Sequence, residues 1–457
     1  KNEMTRIVGQ FNSDMSIILS MKHKMEQSDK NGLVFVGGSA RVKPDNGLAD
    51  RNFFDYLPFV PKTRHCTYEQ AGELAQLLAK KKFAVVIGYG TGFMEASAKG
   101  AGQVPDSLVF GVQTQNLARK EGFSDENRIQ GYVVNSMEAR ELAMLANSSA
   151  VILFPGGLGT LDELIQALTL MQLRQLPPMP IILMGGKKRW QGFFDWLEAG
   201  PIKAGMISAW GQQILKEHVY FPKTDAEVLD ILENKRGRPA PLDIFEMTGL
   251  FSDDLKKAFE SMEKLQHPVI ACFGSGMWMN KTDPLYVSAY QMARRVVENG
   301  WNVYSDGFGG TMGAVHQAAM DAGFDSVGLV NPNDWPESQD SQRLYIPMSL
   351  LCTRNHILRE SDADLVFPGG FGTLNNTFKN AVGIQIGELK PRPILLMNYE
   401  FWIAGRKQGL VGWMEREIVG NGYADQEIFD ILKLVPNHGK EQDRAIEILG
   451  ESLKEAA

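Results

Sequence analysis

The residues in this 457-residue chain best suited to chemistry stand where short apolar runs end in glycine. Three such ends occur in the first half: Gly37-Gly-Ser-Ala-Arg41, Gly88-Tyr-Gly-Thr-Gly92 and Pro155-Gly-Gly-Leu-Gly-Thr160. Glycine lets the backbone come close to an anion, and a helix starting behind it offers unpaired N–H groups and a positive dipole end. Three loops of this kind suit a phosphate-bearing ligand, although each alone is also ordinary turn geometry. The Gly88 loop satisfies neither the GxGxxG fingerprint nor the P-loop ending, so NAD and ATP are not supported by motif. The third loop opens a helix carrying Asp162 and Glu163.

The elements that must position these loops occur twice. Phe154-Pro-Gly-Gly-Leu-Gly-Thr-Leu161 returns as Phe367-Pro-Gly-Gly-Phe-Gly-Thr-Leu374, an offset of 213 that also relates Gln172 to Gln385 and Pro180–Met184 to Pro393–Met397. Met94 and Met312, like Tyr68 and Tyr286, lie 218 apart, and Gly38-Ser39 and Gly274-Ser275 differ by 236. Gly9–Asp14 resembles Gly249–Asp254. Such register marks two copies of one domain. The expected division is residues 1–235, a linker at 236–247, and residues 248–457. The jump in offset places about 18 extra residues at 47–66, where Phe53, Phe54, Tyr56 and Phe59 predict a flap on the first domain's core, or else a lid or a contact with the second copy. Ser252 is expected to cap a helix running to about Gln266.

In the first copy, Leu33–Val36, Phe83–Ile87, Ser107–Val112, Val151–Phe154 and Ile181–Met184 read as strands. Helices are expected between them, notably over Tyr68–Lys80 and Leu161–Leu173. Alternation of this kind predicts an α/β fold of two tandem Rossmann-like domains, each a mainly parallel sheet covered by helices on both faces. Ligands then belong beyond the carboxyl ends of the strands.

Pro-Gly-Gly-x-Gly-Thr-x-x-Glu after an apolar strand resembles the signature of the LONELY GUY (LOG) family, historically labelled possible lysine decarboxylases. The likeness covers most of both copies. The first is similar to the longer bacterial form through Gly38-Ser-Ala-Arg41, Met94-Glu-Ala96, Lys99-Gly-Ala101, Arg140 and Pro155–Glu163. The second is similar to the shorter form through Gly309-Gly-Thr-Met-Gly313 and Pro368–Thr373. The resemblance implies a phosphoribohydrolase that cleaves the N-glycosidic bond of a nucleoside 5′-monophosphate without metal or organic cofactor. It assigns catalysis to Glu163 and to Arg140, 23 positions earlier. Arg140 would orient the nucleotide, and Glu163 would stabilise the oxocarbenium-like ribosyl centre or position water, as a carboxylate does in glycoside hydrolysis. Substrate and phosphate binding falls to Ser39, Arg41, Gly90, Gly92, Met94, Glu95, Gly156, Gly157, Gly159 and Thr160. Where the family usually has Lys after the catalytic Arg, this chain has Glu141, a reversal expected to alter phosphate affinity or substrate choice.

The second copy keeps Gly369, Gly370, Gly372 and Thr373 but has Asn376 in place of the glutamate and Arg354 only 22 residues before it. Asparagine cannot supply the charge an oxocarbenium needs, so the copy is expected to bind a phosphorylated ligand without turning it over. His356 reads as structural rather than as a substitute acid or base. The family's dimers imply an intrachain pseudo-dimer here, with further homo-oligomerisation left open.

Composition narrows the alternatives. Apolar residues make up 44% and charged residues 22%, ordinary for a folded globular chain, and the formal charge is −7. That balance disfavours a nucleic-acid polymer or an anionic membrane as partner, and with it a single-strand DNA-binding relative. Cys66, Cys272 and Cys352 form no zinc-type spacing and predict a reducing cytoplasm. No run is long enough to span a bilayer. A pyridoxal decarboxylase would need a marked Schiff-base lysine, and no motif marks one. The standing alternative is a non-catalytic nucleotide or alarmone sensor.

Overall fold

The computed structural model describes residues 2–44, 47–48, 66–117, 129–239, 268–307, 309–324, 326–330, 343–347, 359, 361–435 and 440–456. The aromatic insertion, apart from residues 47–48 and Cys66, lies outside them. So do the linker beyond 239, the expected helix at 252–266, Cys352, Arg354 and His356.

The first half builds one seven-stranded sheet from β1 (Gly32–Gly37), β2 (Phe83–Ile87), β3 (Val109–Thr114), β4 (Ile129–Val134), β5 (Ala150–Leu153), β6 (Ile181–Leu183) and β7 (Val219–Tyr220). Their order is β4-β3-β2-β1-β5-β6-β7, every pair parallel. The second half repeats it with β8 (Val269–Phe273), β9 (Asn302–Ser305), β10 (Ser326–Val330), β11 (Arg343–Pro347), β12 (Ala363–Val366), β13 (Ile394–Leu396) and β14 (Leu432–Leu434). There the order is β11-β10-β9-β8-β12-β13-β14, again all parallel. Each sheet reverses its winding beside its first strand, the switch point where α/β folds bind ligands.

Unbroken apolar runs such as Phe83–Ile87 form strands because both faces are covered, as their complete burial shows. The helices used below are α1 (Asn2–Glu26), α2 (Tyr68–Lys80), α3 (Phe93–Gly102), α4 (Met137–Ala146), α5 (Leu158–Gln172), α6 (Lys187–Leu197), α7 (Ala209–His218), α8 (Asp225–Lys235), α9 (Pro284–Glu298), α10 (Gly310–Asp321), α11 (Phe371–Gln385), α12 (Gly409–Met414) and α13 (Glu441–Ala456). A capping box fixes the start of α2, Thr67 accepting from the Gln70 N–H while Gln70 reaches back. The sequence places α5 three residues late: the helix begins at Leu158 because Gly157 itself serves as N-cap. Strands β4 and β7 escape the pattern, one being a half-exposed edge and the other two residues long.

Among the described residues three hydrophobic cores result. One lies under α2, α3 and α8 on the outer face of the first sheet, and one under α9, α10 and α13 on the second. The largest runs between the halves, from Leu33 and Phe35 through Leu161 and Leu168 to Phe371, Phe378 and Ala271. Helices α5 and α11 meet in it. Tryptophans close its edge: Trp413 of α12 packs on Trp190 and Phe193 of α6 at 6.1 and 5.4 Å, and Trp196 stacks on Trp402 at 5.9 Å. The Trp413 and Trp196 indole N–H groups donate across the junction to Arg189 O (2.8 Å) and Phe401 O (2.9 Å), so the buried aromatics leave no indole donor unmatched. Among the described residues no helix is long and apolar enough to cross a membrane.

Candidate active site

Ser136 caps α4 by accepting from Ala139 N–H, which sets Arg140 in the first turn, aimed at the carboxyl ends of β2 and β3. Its Nε donates to Val112 O and its Nη2 to Gly88 O, each at 3.1 Å. Glu163 comes from the second turn of α5, and its Oε1 stands 4.0 Å from Arg140 Nη1. Both side chains are more than nine-tenths buried. Two glycines make this possible. A β-carbon at Gly88 would overlap the Arg140 guanidinium, and one at Gly37 would overlap the Glu163 carboxylate. The strand-end glycines read from sequence as room for an anion thus also give room to the charged pair itself.

Beside the pair opens a cavity of about 250 Å³. Ser39, Arg41, Met94, Arg140, Gly157, Gly159, Thr160 and Glu163 all line it. The N-terminal turn of α5 faces it, with no acidic residue in that turn to oppose an anion. Gly156 lies beneath, where a β-carbon would overlap Thr160 Oγ1, and lines only the narrow cleft next door. Gly90, Gly92 and Glu95 do not line the cavity. Gly92 is the positive-φ cap of α3 and packs on the Ser39 carbonyl, with no space for a side chain. Glu95 pairs with Lys99 one turn along at 2.6 Å, so the helix directs it away from the loops.

The remaining wall comes from the second half. Val382 and Gln385 of α11, Ile386 just beyond it and Tyr423 line the cavity together with Leu117, Met137 and Met94, giving a largely apolar side with one amide. The Tyr423 carbonyl stands 2.8 Å from the β-carbon position of Gly157, so the second half's backbone lies directly on the first glycine loop. Pseudo-symmetrically, the Met206 carbonyl closes on Gly370. Sequence reading missed these wall residues because they belong to the other copy, and no local motif marks them.

Glu141 is not at the cavity. It turns into the interface, where Lys379 Nζ of α11 donates to Glu141 Oε2 and, at 3.0 Å, to Asp162 Oδ2. Burial first, and then the neighbouring Asp162, push the Glu141 carboxyl up to about 8 against the pull of Lys379. Asp162 is raised too, again by burial. Burial disfavours the Lys379 ammonium, but Asp162 and Glu141 outweigh it and raise its pKa. The charge reversal noted from sequence is therefore answered by a lysine 238 residues away. Nearby, Arg359 joins Glu138 (2.5 Å) and Glu388 (3.3 Å) in a second buried cluster.

In the second half, Asn376 Nδ2 donates to Asp306 Oδ2 at 2.8 Å. Asp306 occupies the strand-end position that Gly88 holds in the first half, so a side chain stands where the first half leaves room for the Arg140 guanidinium. Gly369 packs on Thr373, and Gly372 has no atom close to its β-carbon position. Among the described residues no cluster of His, Cys, Asp and Glu has the makeup of a metal site.

Parallel sheets with a glycine loop and helix N-terminus at the switch point define a duplicated Rossmann-like protein. The chain belongs to the family described as "Possible lysine decarboxylase", whose sequence profile matches residues 94–223 and again 312–443, together more than half its length. Among curated relatives, a "Probable cytokinin riboside 5′-monophosphate phosphoribohydrolase" of Oryza sativa subsp. japonica is 29% identical over 169 residues, 34% of this chain and 78% of the relative. A cytokinin riboside 5′-monophosphate phosphoribohydrolase of Arabidopsis thaliana is 26% identical over 162 residues, 35% and 73% of the two chains. The molybdenum cofactor binding protein of Rippkaea orientalis superposes with a TM-score of 0.30 at 19% identity, over 45% of this chain and 98% of that one. The relatives are named for hydrolysis of a nucleoside monophosphate, which supports that class of activity at the level of the family.

Proposed function

We propose that the first half is a nucleoside 5′-monophosphate N-glycosidase releasing free base and ribose 5-phosphate. The observation that carries this reading is the buried Arg140–Glu163 pair, 4.0 Å apart, at one cavity with the N-terminal turn of α5. The 5′-phosphate sits on the Gly157–Thr160 turn, where free N–H groups and the Thr160 hydroxyl donate to it. Arg140, fixed by the Val112 and Gly88 carbonyls, orients the nucleotide. As the bond from C1′ to the base nitrogen lengthens, Glu163 stabilises the positive charge on the ribosyl ring. Water then adds at C1′ and loses its proton, while the base leaves protonated. The base lies toward Met137, Leu117 and the second half's Val382, Gln385 and Ile386. The second half binds without turnover, because Asn376 carries no charge and is held by Asp306.

Incubation of the full chain with AMP, GMP, CMP and UMP, with free base and ribose 5-phosphate quantified, tests this. Base release lost in Glu163→Gln supports it. No release from any of the four, with binding retained, would favour a nucleotide sensor instead.

A further inference from the structure

Lys379 is a buried cation of the second half that the reading above leaves without a task. Its ammonium, 1% exposed, reaches two carboxyl groups of the first half, Glu141 on α4 and Asp162 on α5. Each is the chain neighbour of a member of the candidate pair: Glu141 follows Arg140, and Asp162 precedes Glu163. Adjacent residues on a helix point about 100° apart, so fixing one sets the direction of the next.

The pseudo-symmetry supplies a control. At the 213-residue offset, Lys379 corresponds to Gln166 and Asp162 to Asn375. Asn375 Nδ2 donates to Gln166 Oε1, so the same interface contact is made twice. Beside the intact signature it is ionic; beside the degenerate one it is neutral. The interface thus accommodates a neutral pair at this position. Buried ion pairs are seldom the most stabilising choice, since desolvation offsets their attraction. The charge therefore serves something that the second copy lacks.

We propose that Lys379 is a positioning residue for Arg140 and Glu163, its ammonium tying α4 to α5 and fixing the separation and facing of the pair. The assignment rests on the proposed glycosidase reading for its functional meaning, though not for its geometry. Without the tether the two helices settle on packing alone, and a shift of about 1 Å in a catalytic group can cost on the order of a hundredfold in rate. The other charged groups packed around the triad are Glu138, Arg359 and Glu388, besides Arg140 and Glu163 themselves.

The test uses the full chain with Glu141→Gln, Asp162→Asn and Lys379→Gln combined, which writes the second copy's neutral contact into the first and strands no buried charge. The expected result is a folded protein whose kcat for base release falls at least tenfold per folded molecule. A companion variant, Glu141→Lys with Lys379→Glu, exchanges the charges and is expected to regain most of that loss. Wild-type kcat in the neutral variant, or no recovery in the exchanged one, overturns the proposal. Independently of turnover, a crystal structure of the neutral variant should show Arg140 Nη1 and Glu163 Oε1 moved from their 4.0 Å separation. An unchanged pair overturns the tether, whereas an inert wild type overturns only the glycosidase reading.

Discussion

Arg41 of the first half and Asp425 of the second form a two-pronged ion pair at the rim of the cavity, Nη1 to Oδ1 at 2.9 Å and Nη2 to Oδ2 at 2.6 Å. Arg41 lines the cavity while its guanidinium is engaged elsewhere, and Asp425 is held below the usual carboxylate range chiefly by that hydrogen bonding. An incoming phosphate and Asp425 therefore compete for the same five-donor group.

That competition predicts opposite effects on binding and stability. Asp425→Asn frees Arg41 and should tighten ribose 5-phosphate severalfold by calorimetry. The melting temperature should scarcely move, because exposed ion pairs contribute about 0–1 kcal/mol. Weaker binding in the variant would mean Arg41 depends on Asp425 for its place.

Glu163→Gln keeps the shape of the site and removes its negative charge. Turnover of AMP should drop by roughly 10²–10³-fold, the usual cost of losing a preorganised electrostatic partner, with binding retained. The reverse change in the second half, Asn376→Glu, should restore no activity. It sets a carboxylate beside Asp306 in a buried site, at a cost of about 1–3 kcal/mol measurable by denaturant unfolding. Activity gained there would contradict the one-site arrangement.

Gly88→Ala tests the room left for Arg140. The added methyl overlaps the guanidinium, which must leave the Gly88 carbonyl it donates to. Base release should fall by about tenfold or more while the sheet, paired through β1 and β3, stays folded by circular dichroism. Normal turnover would show that the arginine works equally well from another position.

The Glu141 carboxyl gives the stability curve a slope. Its proton is held in the folded state up to about 8 but released near the ordinary carboxylate range on unfolding. Between those values the folded chain binds more protons than the unfolded one, so this group's contribution is fully present below the unfolded pKa and lost as pH rises through 8. The slope is at most one proton, about 1.4 kcal/mol per pH unit. Glu141→Gln should flatten the fall in melting temperature between roughly pH 5 and 8; an unaltered profile would place the proton elsewhere.

Much of this architecture is legible locally. Phe83–Ile87 and Tyr68–Lys80 form the elements their residues predict, because a fully apolar pentad and a capped amphipathic run each have one low-energy way to be buried. The edge strand Ile129–Val134 is less legible, since half-exposed residues obey weaker patterning. Arg140, Glu163 and the Gly157–Thr160 turn are the residues that the family resemblance implies, and they line one cavity. Glu95 and Gly92 carry the same expectation but do not line the cavity, because helix phase at α3 turns one away and backbone packing occupies the other.

By itself the sequence determined the repeat, the strand-to-helix alternation, the glycine loops and the loss of Glu163's counterpart at Asn376. These follow from short-range chemistry: period, turn geometry and residue charge. Only the tertiary structure decided that Tyr423 and Gln385 wall the first site, that Arg41 is engaged by Asp425, and that Glu141 answers to Lys379. The two charged pairs join residues 238 and 384 apart, and they meet because two apolar faces must be buried against each other. No spacing along the chain records which charged side chains that burial brings together.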